Sequence, residues 1–217
     1  MTLNKMSVSV KKLVLVAIAI IAIIAIGAAL YFLNKDEMNN DLPLVTGDSS
    51  AVTTDESPNL SFKLNGLYVG DDFTIMSPSG WIQTHIPMTL VSFQNPEEKH
   101  PEGSAASKIN FKSYVAISSE TTEMTLDETA ELVMRQIQNV APAVSFGPVS
   151  DQVIDGQPAK AIEASLVQQD VDFKVLVAIV MKGNKYFIIS GNTTTQKWAD
   201  YNKLFYDVVF SFKFKVY

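Results

Sequence analysis

"VDFKVLVAIVMKGNKYFIISGN", residues 171–192, decides the fold. From Phe173 to Met181 both alternating sets of side chains are apolar. Phe173, Val175, Val177, Ile179 and Met181 take one side, and Leu176, Ala178 and Val180 take the other. A strand of this kind is central in its sheet, with a layer packed over each face. Gly183-Asn184 then reads as a tight hairpin turn into a second strand, "KYFIISGN".

The neighbouring segments supply the rest of the sheet and its covering layers. Upstream, "VSDQVI" (149–154), the turn pair Asp155-Gly156 and "PAKAIEASLVQQ" (158–169) predict two more hairpin strands. Downstream, Trp198, Tyr201, Phe205 and Val208 recur at helical spacing in a helix from about Thr195, and "FSFKF" (210–214) returns as a terminal strand. A second helix has a clear start. Thr125 and Glu128 make a capping box, Asp127, Glu128 and Glu131 suit the positive helix end, and Pro142 stops it. Its apolar stripe is Leu126, Ala130, Val133, Met134, Ile137 and Val140.

Nearer the N-terminus, "FTIMSPSGW" (73–81) reads as strand, turn, strand, and "MTLVSF" (88–93) as a short strand. "NPEEKHPEGSAAS" (95–107) reads as a polar loop. "KINFKSYVAIS" (108–118) reads as a strand with Ile109, Phe111, Val115 and Ile117 on one face. Strands, helix, hairpin strands, helix and strand add up to an α+β domain, an antiparallel β-sheet covered by helices.

Before the domain lies "KKLVLVAIAIIAIIAIGAALYFLNK", residues 11–35. Leu13 to Leu33 are 21 residues without a charge. At about 1.5 Å per residue they span about 31 Å, close to a bilayer's hydrocarbon core. Lys5, Lys11 and Lys12 precede the run, and Asp36 and Glu37 follow it after Lys35. The positive-inside bias therefore leaves residues 1–12 in the cytoplasm and everything after the run outside. A cleaved signal peptide competes with a permanent anchor, but this apolar run exceeds the usual 7–15 residues of one. The Ala/Ile composition also looks like a type IV pilin helix, although no Glu occurs before Glu37. The resulting order is a cytoplasmic N-terminus (1–12), a single transmembrane helix (13–33), a disordered acidic linker (34–63) and an external α+β domain (64–217). In residues 34–60, 18 of 27 positions are Asp, Glu, Asn, Ser, Thr or Pro, too polar to offset the entropy of ordering. Such a linker would hold the domain about 25–30 Å from the membrane.

Composition excludes several function classes. The chain has 17 basic and 23 acidic residues; four of the basic ones lie at or before residue 35, leaving 13 against 23 beyond it. That balance repels nucleic acid, so no nucleic-acid partner is expected. The absence of Cys removes disulfides, thiolate metal sites and Cys nucleophiles. With only His85 and His100, and no Gly-x-Ser-x-Gly, no catalytic triad or zinc motif forms. His100 reads as solvated and His85 as a strand-end residue. The pairs Asp71-Asp72 and Glu97-Glu98 could meet calcium but lack EF-hand spacing and read as solvated turns. Trp81 and Trp198 read as core anchors rather than a ligand groove. Asn59 and Asn192 match the N-glycosylation triplet only by chance. No catalytic, cofactor-binding or metal-binding residue is assigned.

"FTIMSPSGW" and "LVAIVMKGNKYFIISGNTTTQKWADYNKLFYDVVFSFKF" (176–214) together resemble the PsbP-like superfamily, which includes photosystem PsbP and bacterial DcrB-like proteins. The resemblance covers most of residues 66 to 215. It rests on the Pro-x-Gly-Trp turn, the Gly-Asn-Lys-Tyr hairpin and the Trp-to-Phe-Ser-Phe ending. It implies an α/β/α sandwich and a non-catalytic accessory domain beside a membrane, some relatives of which bind calcium or other metals. The expected function is a membrane-anchored, non-enzymatic extracytoplasmic domain acting on a protein partner or envelope component. A small-ligand or calcium-binding module is the alternative.

Overall fold

The computed structural model describes residues 64–215. The expected anchor (13–33) and linker (34–63) lie outside the described residues, as do Val216 and Tyr217 at the end of the expected domain. Among the described residues no helix is long and apolar enough to cross a membrane.

Among the described residues eleven strands form two antiparallel sheets. The larger uses β3 (Ile82–Thr84), β4 (Val91–Gln94), β5 (Tyr114–Thr121), β6 (Ser145–Phe146), β7 (Ser150–Ile154), β8 (Gln157–Gln168), β9 (Val171–Lys182) and β10 (Lys185–Thr194). Its order is β3-β4-β5-β10-β9-β8-β6, with β7 also pairing β8. The smaller contains β1 (Leu64–Val69), β2 (Phe73–Pro78) and β11 (Lys213–Phe214) in the order β1-β2-β11. The helices are a single turn α1 (Ala105–Lys108), α2 (Leu126–Val140) and α3 (Trp198–Phe210), the last led in by a 3₁₀ turn at Thr195–Lys197.

As its two-faced apolarity requires, β9 is interior, between β10 and β8. One face carries Phe173, Val175, Val177 and Ile179 into a core closed by Ala130, Val133 and Ile137 of α2. The other carries Leu176, Ala178 and Val180 into a core closed by Tyr201, Leu204, Phe205 and Val208 of α3. The turn between β9 and β10 places Gly183 at φ 63°, and the β7–β8 turn places Asp155 and Gly156 at φ 51° and 72°. Positive φ is what a two-residue hairpin requires. The β8–β9 turn meets the same demand with Gln169 and Asp170, at φ 51° and 59°, which no Gly or Asn marks in the sequence.

The helix starts follow the sequence. In α2, the Thr125 hydroxyl accepts from the Glu128 amide at 3.3 Å, and the Glu128 carboxylate accepts from the Thr125 amide at 2.8 Å. The Thr125 amide, and secondarily its hydroxyl, hold the Glu128 carboxyl below its usual range. Lys160 on β8 ties this helix start to the sheet edge, its Nζ 2.5 Å from both Asp127 and Asp151.

The α+β sandwich stands, and three details differ from the sequence reading. The domain is a helix-covered sandwich on only one face; on the other, α3 shares the cover with the small sheet. That sheet is fastened by aromatic rings: Phe73 of β2 stacks on Phe212 at 5.3 Å between centroids, and Phe187 of β10 meets both, at 5.5 and 5.1 Å. Segment 108–118 is also not one strand. Residues 105–108 are helical, Asn110 sits at φ 47°, and β5 begins only at Tyr114. This break resets the alternation, so Phe111 packs in the α2-side core while Val115 and Ile117 pack in the other. The strand read at 88–93 likewise starts later, at Val91, because Met88 holds φ 66°.

Candidate functional site

Two places carry polar chemistry. The first is the β3 edge of the large sheet. Pro78 ends β2, Gly80 turns at φ 78°, and Trp81 drops into the α3-side core, which launches β3 along β4. Past β3 the chain loops through His85 and Met88 before entering β4. Thr89 fastens this loop, its amide and hydroxyl donating to the Ile86 carbonyl at 3.2 and 2.8 Å. A left-handed non-glycine residue such as Met88 costs about 1–2 kcal/mol, and such strain gathers where a loop is shaped for contact. Between strand and loop lies a cavity of about 310 Å³ lined by Gln83, Thr84, His85, Thr89, Leu90 and Val91. Around it Ile82, Met88 and Leu90 are 52%, 44% and 48% exposed. His85 stands here, directly after β3, with no carboxylate among the cavity's lining residues.

The second place is internal. The segment 95–107, expected to be a solvated loop, carries Glu98 with its side chain 2% exposed and His100 at 4%. This corrects the reading of both residues: only Glu97 of the acidic pair faces water. The Glu98 carboxylate accepts from the Ser113 amide through Oε2 and from the Ser113 hydroxyl through Oε1, the latter at 2.9 Å. Thr193 Oγ1 on β10 lies 2.7 Å from Ser113 Oγ. Lys112 Nζ donates to the Glu98 carbonyl. His100 Nε2 lies 3.0 Å from the Phe111 carbonyl, so that nitrogen carries the hydrogen, and 3.9 Å from Glu98 Oε1. Nearby, Asn95 Nδ2 donates to the Tyr201 hydroxyl at 2.8 Å. Burial, then the Glu98 charge, push the Tyr201 hydroxyl up to about 12. The network draws on the 95–113 segment, β10 and α3, and its centre, Glu98, Ser113 and Thr193, is buried. Its geometry suits pinning a segment, not turning over a substrate.

On the opposite face of the same end, the Tyr114 hydroxyl, Asn192 Oδ1 and Thr194 Oγ1 are buried with no hydrogen-bond partner. Tyr114 and Asn192 are cross-strand partners, and burial pushes the Tyr114 hydroxyl far up. A buried hydroxyl without a partner costs stability. Tyr114→Phe is therefore expected to raise stability by about 1 kcal/mol, read from the urea midpoint at unchanged slope.

The remaining candidates fall into structural roles. Asp71 and Asp72 lie in the turn joining β1 to β2, where Asp72 meets Lys185 Nζ. Trp81 is buried against Tyr201 and Phe205, and Trp198 packs on the same core. Asn192 is 1% exposed, which leaves no room for a glycan in the folded chain; Asn59 lies outside the described residues. Among the described residues no group of three or more His, Asp or Glu could hold a metal ion.

The sequence profile of the PsbP family matches residues 68–214, from the end of β1 to the end of β11. The chain belongs to the PsbP family. Among solved structures, this PsbP-family domain is similar to cyanobacterial PsbP (CyanoP) from Synechocystis sp. PCC 6803, at 18% identity and a TM-score of 0.51. That similarity covers 78% of this chain and 98% of the other. It is also similar to LpqN of Mycobacterium tuberculosis, described as involved in cell envelope biogenesis, at 10% identity and a TM-score of 0.54. There the coverage is 68% of this chain and 86% of LpqN. At such identities the likeness concerns the fold. No curated protein sequence matches the chain. No calcium-binding or other ligand site is evident among the described residues.

Proposed function

We propose that this chain is a single-pass membrane-tethered module whose extracytoplasmic PsbP-family domain binds a protein partner at the β3 edge and catalyses nothing. The β3 edge carries this reading: Ile82, Met88 and Leu90 stand exposed around an open cavity whose polar lining, Gln83, Thr84, His85 and Thr89, is free of carboxylates and lysines. Such a surface offers hydrogen bonds and apolar contact, the two components of a protein interface. The tether comes from residues 13–33 and its orientation from the flanking lysines.

A photo-crosslinking amino acid at Leu90, in the full chain in its native membrane, tests the site. One discrete adduct is expected from Leu90, at least fivefold weaker with Ile82→Asp, and none from the same probe at Val153 on β7. Equal labelling from both positions would remove the β3 edge as the contact. Carbonate extraction of the same membranes tests the tether separately: the chain should stay in the pellet, and its release would overturn the anchor.

A further inference from the structure

We infer that the partner docks on β3 as an added strand: an extended segment of a different protein pairs with the Gln83 backbone and seats one neutral side chain in the adjoining cavity. The inference rests on the reading of this edge as the partner site and names the kind of partner it takes.

The hydrogen-bond phase of the sheet singles out Gln83. The Asn95 amide donates to the Ser113 carbonyl at 3.0 Å, in register with the pairing of Phe93 with Val115 and of Val91 with Ile117. Bonds between antiparallel strands fall on alternate residues, so Val91, Phe93 and Asn95 bond toward β5. The far side of β5 agrees. The Thr122 amide donates to the Asn184 carbonyl at 2.8 Å, in register with the pairing of Glu120 with Tyr186 and of Ser118 with Ile188. That alternation commits Ala116 and Ser118 to β10 and leaves Val115 and Ile117 for β4. Ser92 and Gln94 of β4 therefore bond toward β3, where their partners are Thr84 and Ile82. Gln83, between those two, turns its N–H and C=O the other way. Among the described residues β3 pairs only with β4, so these groups stand on an open edge, and Gln83 is exposed. A chain laid alongside in extended form meets both the donor and the acceptor.

The cavity supplies the second contact and selects what fills it. Gln83, Thr84, His85 and Thr89 line it together with Leu90 and Val91, around about 310 Å³. A cation entering would meet no carboxylate, and an anion no lysine or arginine, so either would lose hydration without an ion pair. A side chain with an apolar body and a neutral polar tip, as in tyrosine, uses the aliphatic wall and the hydrogen-bonding groups together. With three residues, β3 offers only a brief backbone pairing, and one seated side chain fixes it; interfaces draw most of their energy from a few such anchors. A second copy of β3 cannot supply that anchor. It carries Ile82, Gln83 and Thr84, and the adjoining Trp81 is buried in the α3-side core.

Proline separates backbone from side chain at Gln83. It removes the N–H and is tolerated where that group faces away from the sheet. In the full chain in its native membrane, with the photo-crosslinking amino acid at Leu90, Gln83→Pro should weaken the adduct at least fivefold relative to Gln83→Ala, which keeps the N–H. Gln83→Glu, which puts a carboxylate in the lining, should weaken it at least threefold relative to the chain unchanged at 83. In detergent, full-length Gln83→Pro should keep a higher urea midpoint than Thr84→Pro, whose lost N–H faces β4. The reverse order overturns the phase and the proposal with it. Equal adducts from Gln83→Pro and Gln83→Ala overturn strand addition while leaving the β3 edge as the contact. A stronger adduct with Gln83→Glu overturns the neutral anchor, and an adduct of twice the chain's mass overturns the different-protein occupant. No adduct from Leu90 in the chain unchanged at 83 removes the site itself, and strand addition falls with it.

Discussion

Gly191→Ala is expected to destabilise the domain by about 3 kcal/mol, and Gly191→Val by more, with loss of the cooperative unfolding transition at 37 °C. Gly191 lies in β10 on the face crossed by α3. A Cβ built there would stand 2.6 Å from Phe205 Cδ1, 2.7 Å from Phe205 Cβ and still closer to Cγ. Because the Phe205 Cβ is itself in the way, no rotation of the ring relieves the clash. The helix would have to lift, and Tyr201, Leu204 and Val208 would lose their seats with it. Phe205 is 1% exposed and stacks on Tyr201 at 5.9 Å between centroids, so relaxation of the ring is blocked on that side also. Phe205→Ala alone should cost about 3–5 kcal/mol through the cavity it leaves. Gly191→Ala added to Phe205→Ala should then cost less, because the contacts with Cγ and Cδ1 are gone and only the 2.7 Å approach to Cβ remains. A coupling of about 2 kcal/mol or more in that double-mutant cycle is the expected result. Simple additivity would show that the helix does not rest on the glycine.

Nothing in the sequence singles out Gly191, and the reason bears on what could be read in advance. The β9–β10 hairpin was legible because a strand apolar on both faces has only one place to go. Helix α2 was legible because Thr125 and Glu128 write its first turn locally. The close approach of Phe205 to Gly191 depends on how a helix crosses a sheet, and no local pattern encodes it. The same holds for the small sheet. "FTIM" announces a strand, but its pairing with Lys213 and Phe214 at the far end of the domain is a tertiary fact. The phase of 108–118 went astray at Asn110, since one left-handed residue is enough to turn the following side chains to the other face. At the β3 edge, the sequence placed His85 at a strand end but gave no sign of a cavity. Leu90, Ile82 and Met88 read simply as strand residues until the edge position of β3 exposed them.

The buried carboxylate is the other large effect. Glu98→Ala is expected to cost about 3 kcal/mol, whereas Glu98→Gln should cost about 1. Polarity made the whole segment from Asn95 to Ser107 look solvated, because Glu is almost never fully buried without partners. Here the partners are present but come from far along the chain: Ser113 is 15 residues away, and Thr193 is a further 80. Alanine would strand the Ser113 amide, which sits in a residue with no exposure and has no water to turn to. Glutamine can keep that bond through its carbonyl oxygen. Its amide then donates to Ser113 Oγ, and the Ser113 hydroxyl turns its hydrogen to Thr193. The network survives with its direction reversed, which is why the two substitutions should separate. The loss with alanine should also be local first. Residues 95–113 hang on this carboxylate through Ser113, on the Glu98 carbonyl through Lys112, and on the Phe111 carbonyl through His100. Hydrogen exchange of the 105–111 amides should accelerate at least a hundredfold in Glu98→Ala, while exchange in β9 rises only as far as the fall in global stability requires. Uniform acceleration across both segments would mean that Glu98 supports the whole domain and not this segment alone.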